Sequence, residues 1–310
     1  MKAITLNAFD TAPALRDDLP APTPAPNEVL VRVRASSVNP ADNGIAAGML
    51  KQMGLEYEFP VILGRDYAGV VEQVGAEVTR YAVGEHVFGF LLHANPTVRD
   101  GSWAELIAVP QDMFIGRAPE GVDVATAGAA PLAGIAAIMA IDALELAEGD
   151  TVLIVGATGG VGSLAVQLAA RAGATVVAPA LREDEAHVRE LGVSELLPRD
   201  GDLAAAARER HPDGFDAVLD LVNYAPGAPA ALVKEGGRVA SPTGAAGEGP
   251  GRTMIMAAPT PENLERLARL LADGTLRVPI QAIYELAQAP EMLAAFPAAH
   301  TRGKLAIRVA

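Results

Sequence analysis

The segment at residues 151–168, TVLIVGATGGVGSLAVQL, constrains the fold more than any other part of the chain. An apolar run of strand length leads into a glycine-rich turn, and an apolar run of helix length follows directly. The turn consists of Gly156, Ala157, Thr158, Gly159, Gly160, Val161 and Gly162. A buried strand that passes through a short glycine turn into a helix is typical of a βαβ unit, and it therefore predicts a parallel α/β sheet.

The same turn indicates a dinucleotide site. In such turns the middle glycine lets the backbone approach a pyrophosphate, the last lets helix and strand pack closely, and the helix N-terminus offers free N–H donors. Gly159 and Gly162 suit these two tasks. On the G-x-G-x-x-G frame the first position is Ala157, which is tolerated if that position needs no positive φ angle. The alternative is a flexible loop of another α/β protein, but the flanking strand and helix favour the cofactor.

The end of the next strand distinguishes the two nicotinamide cofactors. An acid there would hydrogen-bond the ribose hydroxyls of NAD and repel the 2′-phosphate of NADP. The chain reads APALR at residues 178–182, with no acid, and Arg182 stands one or two residues beyond the expected place. We therefore expect NADPH rather than NADH. The alternative is that Arg182 only begins a solvated helix with Glu183 and Asp184, which are unfavourable near a phosphate.

The pattern of apolar residues divides the chain into parts. The first third contains short strands separated by turn residues, which is typical of a compact β domain. From about Asp123, helix-length apolar segments alternate with buried strands, the last of them expected at residues 254–257. We expect a catalytic domain at residues 1–122, a Rossmann cofactor-binding domain at 123–260, and a C-terminal segment at 261–310 that returns to the catalytic domain.

Composition and charge exclude several classes of partner. The 310 residues have a formal net charge of -14 without any lysine or arginine cluster, which argues against nucleic acid. The chain has no cysteine, so disulfides and thiolate metal sites are impossible. Its start, MKAITLNAFD, lacks the pattern of a secretory signal, and its longest apolar stretch, residues 125–141, is too short for a membrane span. We expect a cytoplasmic protein with no membrane partner.

Six segments spread over nearly the whole chain carry a family resemblance: EVLVRVRASSVNPAD at 28–42, LGRDYAGVVEQVG at 63–75, VGEHVFG at 83–89, APLAGIAA at 130–137, VGATGGVGSLAVQLA at 155–169 and RGKLAIRV at 302–309. Together they resemble the medium-chain dehydrogenase/reductase superfamily, in its quinone oxidoreductase and enone reductase branch. The resemblance implies a doubly wound parallel Rossmann sheet inserted into a GroES-like, mostly β catalytic domain that the C-terminal tail completes. It also implies a cleft between the domains and a homodimer formed through the Rossmann sheet.

Two departures from the zinc-dependent relatives are informative. In those relatives a cysteine in the segment matching SSVNPAD and a histidine in the segment matching LGRDYAG hold a catalytic zinc, whereas this chain has Asn39 and Arg65 there. The four cysteines of a structural zinc loop are absent, and the five histidines lie scattered without ligand spacing. We therefore expect no metal, zinc included.

The reaction expected without a Lewis acid is a reduction. An alcohol is hard to oxidise when nothing stabilises the developing alkoxide. Hydride added to an enone or a quinone instead sends charge onto a carbonyl oxygen that preset donors can hold. The resemblance places five polar residues in the cleft: Asn39, Asp42, Tyr57, Arg65 and Tyr67. Each also has a structural alternative, respectively a turn residue before a proline, a helix cap, a surface tyrosine, the partner of an acid and a core residue.

On the cofactor side, the resemblance implies that the residues after two strands line the nicotinamide half. These are Val222, Asn223, Ser241, Thr243 and Gly244. Lys304, from the terminal RGK, is expected to reach the cofactor unless it is merely solvated. The leading hypothesis is an NADPH-dependent quinone or enone reductase. An enoyl reductase that tailors a biosynthetic intermediate, and an NADPH-binding sensor or structural protein without turnover, stay open as alternatives.

Overall fold

The computed structural model describes residues 1–9, 11–92, 96–97, 99–223, 228–296 and 300–310. Within these ranges the strands are β1 (Ala3–Leu6), β2 (Ala14–Arg16), β3 (Glu28–Ser37), β4 (Val61–Ile62), β5 (Asp66–Val74), β6 (His86–Phe90), β7 (Leu106–Pro110), β8 (Gly116–Arg117), β9 (Thr151–Val155), β10 (Thr175–Ala180), β11 (Glu195–Pro198), β12 (Phe215–Asp220), β13 (Val233–Ser241), β14 (Arg252–Met254), β15 (Ile280–Glu285) and β16 (Lys304–Arg308). The α-helices are α1 (Pro40–Ala46), α2 (Met49–Gln52), α3 (Val124–Ala129), α4 (Pro131–Leu144), α5 (Gly160–Arg171), α6 (Glu185–Leu191), α7 (Leu203–Arg210), α8 (Pro261–Ala272) and α9 (Ala289–Ala295).

Six parallel strands form the sheet that contains the glycine turn, in the order β11-β10-β9-β12-β13-β14. This is the strand order of the doubly wound dinucleotide fold, in which the direction of winding reverses between the first and fourth strands. Such sheets bind ligands in the crevice at that reversal, here beside the carboxyl ends of β9 and β12. The parallel sheet expected from the sequence is confirmed.

Helices cover both faces of this sheet because its central strand is apolar on both sides. In β9, Val152 and Ile154 belong to the core cluster that includes residues of α4 and α5. Leu153 and Val155 belong to the cluster on the other face, which includes Ala207 of α7. A strand buried on both faces needs a continuous apolar run rather than alternation, which is why β9 could be recognised in the sequence.

The last strand of the sheet begins earlier than expected. The sequence predicted it at residues 254–257, whereas β14 pairs with β13 from Arg252, opposite Val239, to Met254. After β14 the Ile255 N–H still donates to the Ser241 carbonyl of β13, and the Ile255 side chain is buried. The side chains of Met254 and Met256 are 56% and 66% exposed, so this run is buried on one face only, as at a sheet edge.

The second large sheet is mostly antiparallel. Its strands follow the order β15-β16-β3-β5-β6-β8, and β7 also pairs with β3. A small antiparallel sheet, β2-β1-β4, packs beside it. The C-terminal strand β16 pairs with β3 of this sheet.

The helices show how the two sheets are joined. Helix α3 packs on β3, β5 and β16 of the antiparallel sheet. Helix α8 packs on α4 of the Rossmann part and also on β8 of the antiparallel sheet. The domain limits at residues 122 and 260 stay predictions. None of the described helices is long and apolar enough to cross a membrane.

Candidate active site

A cleft of about 870 Å³ is lined by residues from both large sheets. From the Rossmann side come the glycine turn, the end of β10 and the residues after β12. From the other side come residues 38–41, which lead from β3 into α1, and residues 303–305 at the start of β16. The cleft thus contains the place where a doubly wound sheet binds its ligand, and a second wall of different chemistry faces it.

The glycine turn has the geometry that a pyrophosphate needs. A Cβ on Gly162 would lie 2.0 Å from the carbonyl oxygen of Gly156, so only glycine allows this contact between helix and strand. A Cβ on Gly159 would meet nothing closer than 3.5 Å, and this residue lines the cleft. Helix α5 begins directly after Gly159, and its first N–H groups have no partner within the helix. A dinucleotide fits this cradle, because both the open space and the backbone donors are present.

The alanine on the glycine frame is accommodated as the sequence argument required. Ala157 does not occur among the described non-glycine residues with positive φ, whereas Gly156 has a φ of 94°. The left-handed conformation of the turn is therefore one residue earlier than the G-x-G-x-x-G frame places its first glycine.

The start of β16 fastens the glycine turn to the opposite wall. The backbone N–H of Gly303 donates to the carbonyl of Thr158 over 2.7 Å, and Gly159 and Gly303 form an isolated parallel bridge. Gly303 has a φ of 86°, and a Cβ there would lie 2.1 Å from the carbonyl oxygen of Pro279. The sequence analysis did not select Gly303, although it lies within the RGK segment that was singled out.

Asn39 and Lys304 form the polar centre of the cleft. The Lys304 ammonium donates to Asn39 Oδ1 over 2.5 Å and to the Val38 carbonyl over 3.2 Å. The other end of the Asn39 amide donates from Nδ2 to Asp66 Oδ2 over 2.8 Å. Because lysine can only donate and a carboxylate can only accept, the two partners fix which way the amide points.

Asp66 is the acceptor that the members of this network share. Its carboxylate accepts hydrogen bonds from the Ser37 hydroxyl at 2.6 Å and from the Leu132 backbone N–H at 2.7 Å, and it pairs with Lys304 at 3.3 Å. The Leu132 bond places a negative charge at the N-terminus of α4, where the helix dipole favours it. Sequence reasoning selected the neighbours Arg65 and Tyr67 but missed Asp66. The signal was an acid two residues after the apolar run VILG at 61–64.

The structure places three of the expected donors away from the cleft. Tyr67 is fully buried and donates to the Phe114 carbonyl over 2.8 Å, and burial raises the pKa of its phenol well above the ordinary value. Tyr57 donates to the Ile45 carbonyl over 2.9 Å. Arg65 is only 2% exposed and pairs with Asp100 at 3.2 Å. Their roles in this structure are core packing, local bonding and pairing with an acid.

Asp42 lies behind the cleft wall. It occupies the first turn of α1, and its Oδ2 accepts the backbone N–H of Asn39 over 2.7 Å. Burial raises its pKa to about 7, although the nearby Arg65 opposes this shift. Asp42 therefore orients the segment that carries Asn39, and it combines this with the capping role that was the alternative.

The nicotinamide end is only partly as expected. Val222 and Thr243 line the cleft. Ser241 lies behind Thr243, with its hydroxyl accepting the Thr243 backbone N–H over 3.1 Å. Asn223 has a φ of 55° and Gly244 a φ of 82°, and neither belongs to the cleft lining. These residues shape the two loops rather than face the ligand space.

The residues at this site do not fit zinc. The ligand position that zinc relatives fill with cysteine is Asn39, whose amide is bonded at both ends, and Arg65 is a cation that offers no lone pair. Elsewhere in the described chain one group of possible ligands occurs, formed by Glu183, Asp184 and His300. Both oxygens of Asp184 already accept hydrogen bonds, from His300 and Arg302.

Comparison with known proteins agrees with this geometry. The chain is 30% identical to the chloroplast envelope quinone oxidoreductase homolog of Arabidopsis thaliana, over 99% of this chain and 98% of that protein. The chain belongs to the medium-chain dehydrogenase/reductase superfamily. Two family models of this superfamily match it, the alcohol dehydrogenase GroES-like domain at residues 25–120 and the zinc-binding dehydrogenase model at residues 191–307.

Other members of the superfamily resemble this chain at a similar level of sequence identity. The 2-methylene-furan-3-one reductase of Solanum lycopersicum is 32% identical over 79% of this chain and 63% of that protein. The structure of the quinone oxidoreductase from Coxiella burnetii superposes with a TM-score of 0.89 at 29% identity, covering 100% of this chain and 99% of that one. The protein is therefore an oxidoreductase of the quinone oxidoreductase-like kind, with the GroES-like and Rossmann parts that its sequence predicted.

Proposed function

We propose that this protein reduces α,β-unsaturated carbonyl compounds or quinones by direct hydride transfer from NADPH. The supporting observation is that the glycine turn at Gly159 and the buried Asn39–Lys304 pair line the same cleft. When bound, the reduced nicotinamide supplies the hydride. The acceptor gains that hydride at an electron-poor carbon, the π electrons of its conjugated system shift toward the carbonyl oxygen, and one proton taken up from solvent completes the reduced product.

Lys304 supplies the charge that stabilises this oxygen. Its ammonium is held in place by three acceptors, of which Asp66 at 3.3 Å is the most distant. A developing oxyanion shares the N–H group that makes the longest of these contacts, and the ion pair between Lys304 and Asp66 remains in place. Fixed donors aimed at developing charge in a water-poor site are the strongest single contribution to catalysis in most enzymes. Asn39 acts by positioning the ammonium.

The names of similar proteins support the same substrate class. The plastid NADPH-dependent alkenal/one oxidoreductase of Arabidopsis thaliana is 32% identical over 74% of this chain and 59% of that protein. The quinone oxidoreductase homolog and the furanone reductase described above point to conjugated carbonyls as well. A conjugated acceptor also suits the apolar walls of the cleft, formed by residues such as Leu132, Ala133 and Ala136.

A panel of acceptors tests this function. Purified protein is mixed with NADPH and a quinone, a small enone, an enoyl thioester or a saturated ketone, and loss of the reduced-nicotinamide absorbance is followed. We expect turnover with the enone or the quinone and none with the saturated ketone. Preference for the thioester would identify an enoyl reductase. Tight NADPH binding with no acceptor reduced would contradict catalysis and identify a sensor.

A matched pair of variants tests the role of Lys304. Lys304→Met is expected to lower kcat by roughly 100-fold or more, the usual effect of removing one oxyanion donor. Lys2→Met removes an exposed lysine outside the cleft and is expected to leave kcat unchanged. Equal effects of the two substitutions would contradict the proposed role.

The proposal includes a homodimer and a cytoplasmic location. The open edge of the parallel sheet at β14, with Met254 and Met256 exposed beside it, offers a surface for the expected pairing through the Rossmann sheet. Light scattering on the purified protein tests this, because a monomeric mass at micromolar concentration would contradict the dimer.

A further inference from the structure

Arg199 is the arginine that lines the cleft at its ribose end. Strands β10 and β11 are parallel, with Ala180 opposite Pro198, so Arg199 lies beside Leu181 just beyond the ends of both strands. In a doubly wound sheet this is where the ribose of the cofactor meets the protein. Both Arg199 and Leu181 line the cleft. Arg182, which the sequence favoured for this role, is exposed and is not part of that lining.

A chain of hydrogen bonds holds Arg199 in this place. Its Nη1 lies 3.0 Å from His300 Nδ1, and His300 Nε2 lies 2.6 Å from Asp184 Oδ2. A guanidinium can only donate, so Nδ1 accepts and the imidazole proton sits on Nε2, from which it is donated to Asp184. The second oxygen of Asp184 accepts from Arg302 Nε over 2.6 Å.

Asp184 already pairs with basic groups of this chain. It lines the cleft, yet each carboxylate oxygen already accepts a charged or imidazole donor. Burial alone would raise the pKa of Asp184, but the hydrogen bonds from Arg302 and His300 outweigh burial and lower it. The group is therefore an internal counter-ion for the basic cluster, and a ribose hydroxyl would have to share its oxygens with His300 and Arg302.

We propose that Arg199 binds the 2′-phosphate of NADPH and that His300 is the positioning residue that keeps its guanidinium at the cleft. This rests on the NADPH part of the proposed function. Guanidinium groups suit phosphate because two parallel N–H groups can bond two oxygens. The exposed Glu183 opposes the phosphate, since its carboxylate lies within 4.8 Å of the ligand atoms of Asp184 and His300.

Two nucleotides that differ by the phosphate alone test the assignment without turnover. Titration calorimetry compares 2′,5′-ADP with 5′-ADP on the full chain. We expect Arg199→Gln to weaken 2′,5′-ADP by roughly 10- to 100-fold, the effect of losing a charged hydrogen-bonding pair, and to leave 5′-ADP unchanged. Arg199→Lys restores part of the loss. The matched control Arg182→Gln leaves both affinities unchanged.

Two further variants separate positioning from charge. His300→Ala is expected to weaken 2′,5′-ADP by a smaller factor than Arg199→Gln, with 5′-ADP and the unfolding temperature unaffected. Glu183→Gln is expected to strengthen 2′,5′-ADP only, because it removes the opposing carboxylate. Purely structural effects would move both nucleotides together, and that result overturns the proposal.

Different experimental results would contradict the role of Arg199 and the proposed function. If Arg182→Gln rather than Arg199→Gln abolishes the preference for 2′,5′-ADP, or if the wild-type protein binds both nucleotides equally, the role of Arg199 is wrong. Enone reduction with NADH as well as NADPH would then leave the hydride chemistry standing. Absence of any nucleotide binding would contradict both.

Discussion

Lys304 donates a hydrogen bond to the side-chain oxygen of Asn39 over 2.5 Å, although 265 residues separate them in the chain. The contact joins the start of β16 to the N-terminus of α1. It also lies beside the glycine turn, since a Cβ on Gly160 would come within 2.7 Å of Lys304 Cδ. Lys304 therefore contacts both the glycine turn and the residues 38–41 that lead into α1. Its loss should lower the stability of the fold as well as the rate of the reaction.

Removing the Lys304 charge should destabilise the fold. Lys304→Met leaves the fully buried Asp66 carboxylate without its cation, and breaking a buried ion pair from one side costs about 3–5 kcal/mol. Urea unfolding measures the change. The double variant Lys304→Met with Asp66→Asn should regain part of the loss, because no uncompensated charge remains. A single variant within about 1 kcal/mol of the wild type, as for an exposed pair, would contradict the account.

Two glycines of the same turn should respond differently to alanine. Gly159→Ala puts a methyl group into open cleft, so the unfolding temperature should not change, but NADPH affinity should fall about tenfold or more because the methyl occupies pyrophosphate space. Gly162→Ala collides with the Gly156 carbonyl and should lower stability itself. Fluorescence titration with NADPH and thermal unfolding of both variants provide the two measurements.

These two variants distinguish a turn that binds the cofactor from a turn that has only a structural role. A Gly159→Ala variant that binds NADPH like the wild type would show that the turn does not hold the pyrophosphate. A Gly162→Ala variant of unchanged stability would show that helix and strand are less tightly packed than the 2.0 Å approach requires.

Asp42 should make stability decrease as pH rises. Burial raises its pKa from 3.8 to about 7, so the folded protein holds this proton more tightly than the unfolded chain does. The contribution is complete below about pH 4 and is lost as pH rises through about 7. The difference corresponds to about 4 kcal/mol. Asp42→Asn removes it, so the stability of this variant relative to the wild type should increase by up to that amount between pH about 4 and about 8.

Urea unfolding of the two proteins across this pH range provides the test. Asp18→Asn serves as the control, because the Arg16 hydrogen bond lowers the pKa of the exposed Asp18 carboxyl below its ordinary value of 3.8, so this variant should parallel the wild type across the range. Parallel pH profiles for Asp42→Asn and the wild type would contradict the buried, protonated state of Asp42.

Tyr67→Phe should leave catalysis intact. The hydroxyl donates to the Phe114 carbonyl, so its removal costs about 0.5–1.5 kcal/mol of unfolding free energy, the usual net value of one hydrogen bond, with kcat and KM for the enone unchanged. A fall in kcat at unchanged stability would return Tyr67 to the cleft chemistry that the family resemblance suggested.

Local features could be predicted from the sequence, whereas the partners of charged groups could not. The glycine turn is one continuous segment, and the two-sided burial of β9 follows from its apolar run. Asp66 is different because its partners lie in three separate segments, and only the fold brings Ser37, Asn39, Leu132 and Lys304 to one carboxylate.

The end of the cleft at Arg199 shows the same limit of prediction from sequence. Counting residues along the sequence favoured Arg182, which is the second residue after the end of β10. The register of β10 with β11 instead brings Arg199 beside the strand end, and the return of the C-terminus adds His300. No local sequence pattern gives the register of two strands or the return of the C-terminus to the cleft. The sequence alone could therefore not select Arg199 or His300.

The hydride step itself is tested most directly with NADPH deuterated at the transferable position of C4, an enone acceptor and mass and NMR analysis of the product. The account predicts a saturated ketone with one deuterium on the former β-carbon and none on the carbonyl carbon. An allylic alcohol with deuterium on its carbinol carbon, or a reduced product without deuterium, would contradict it.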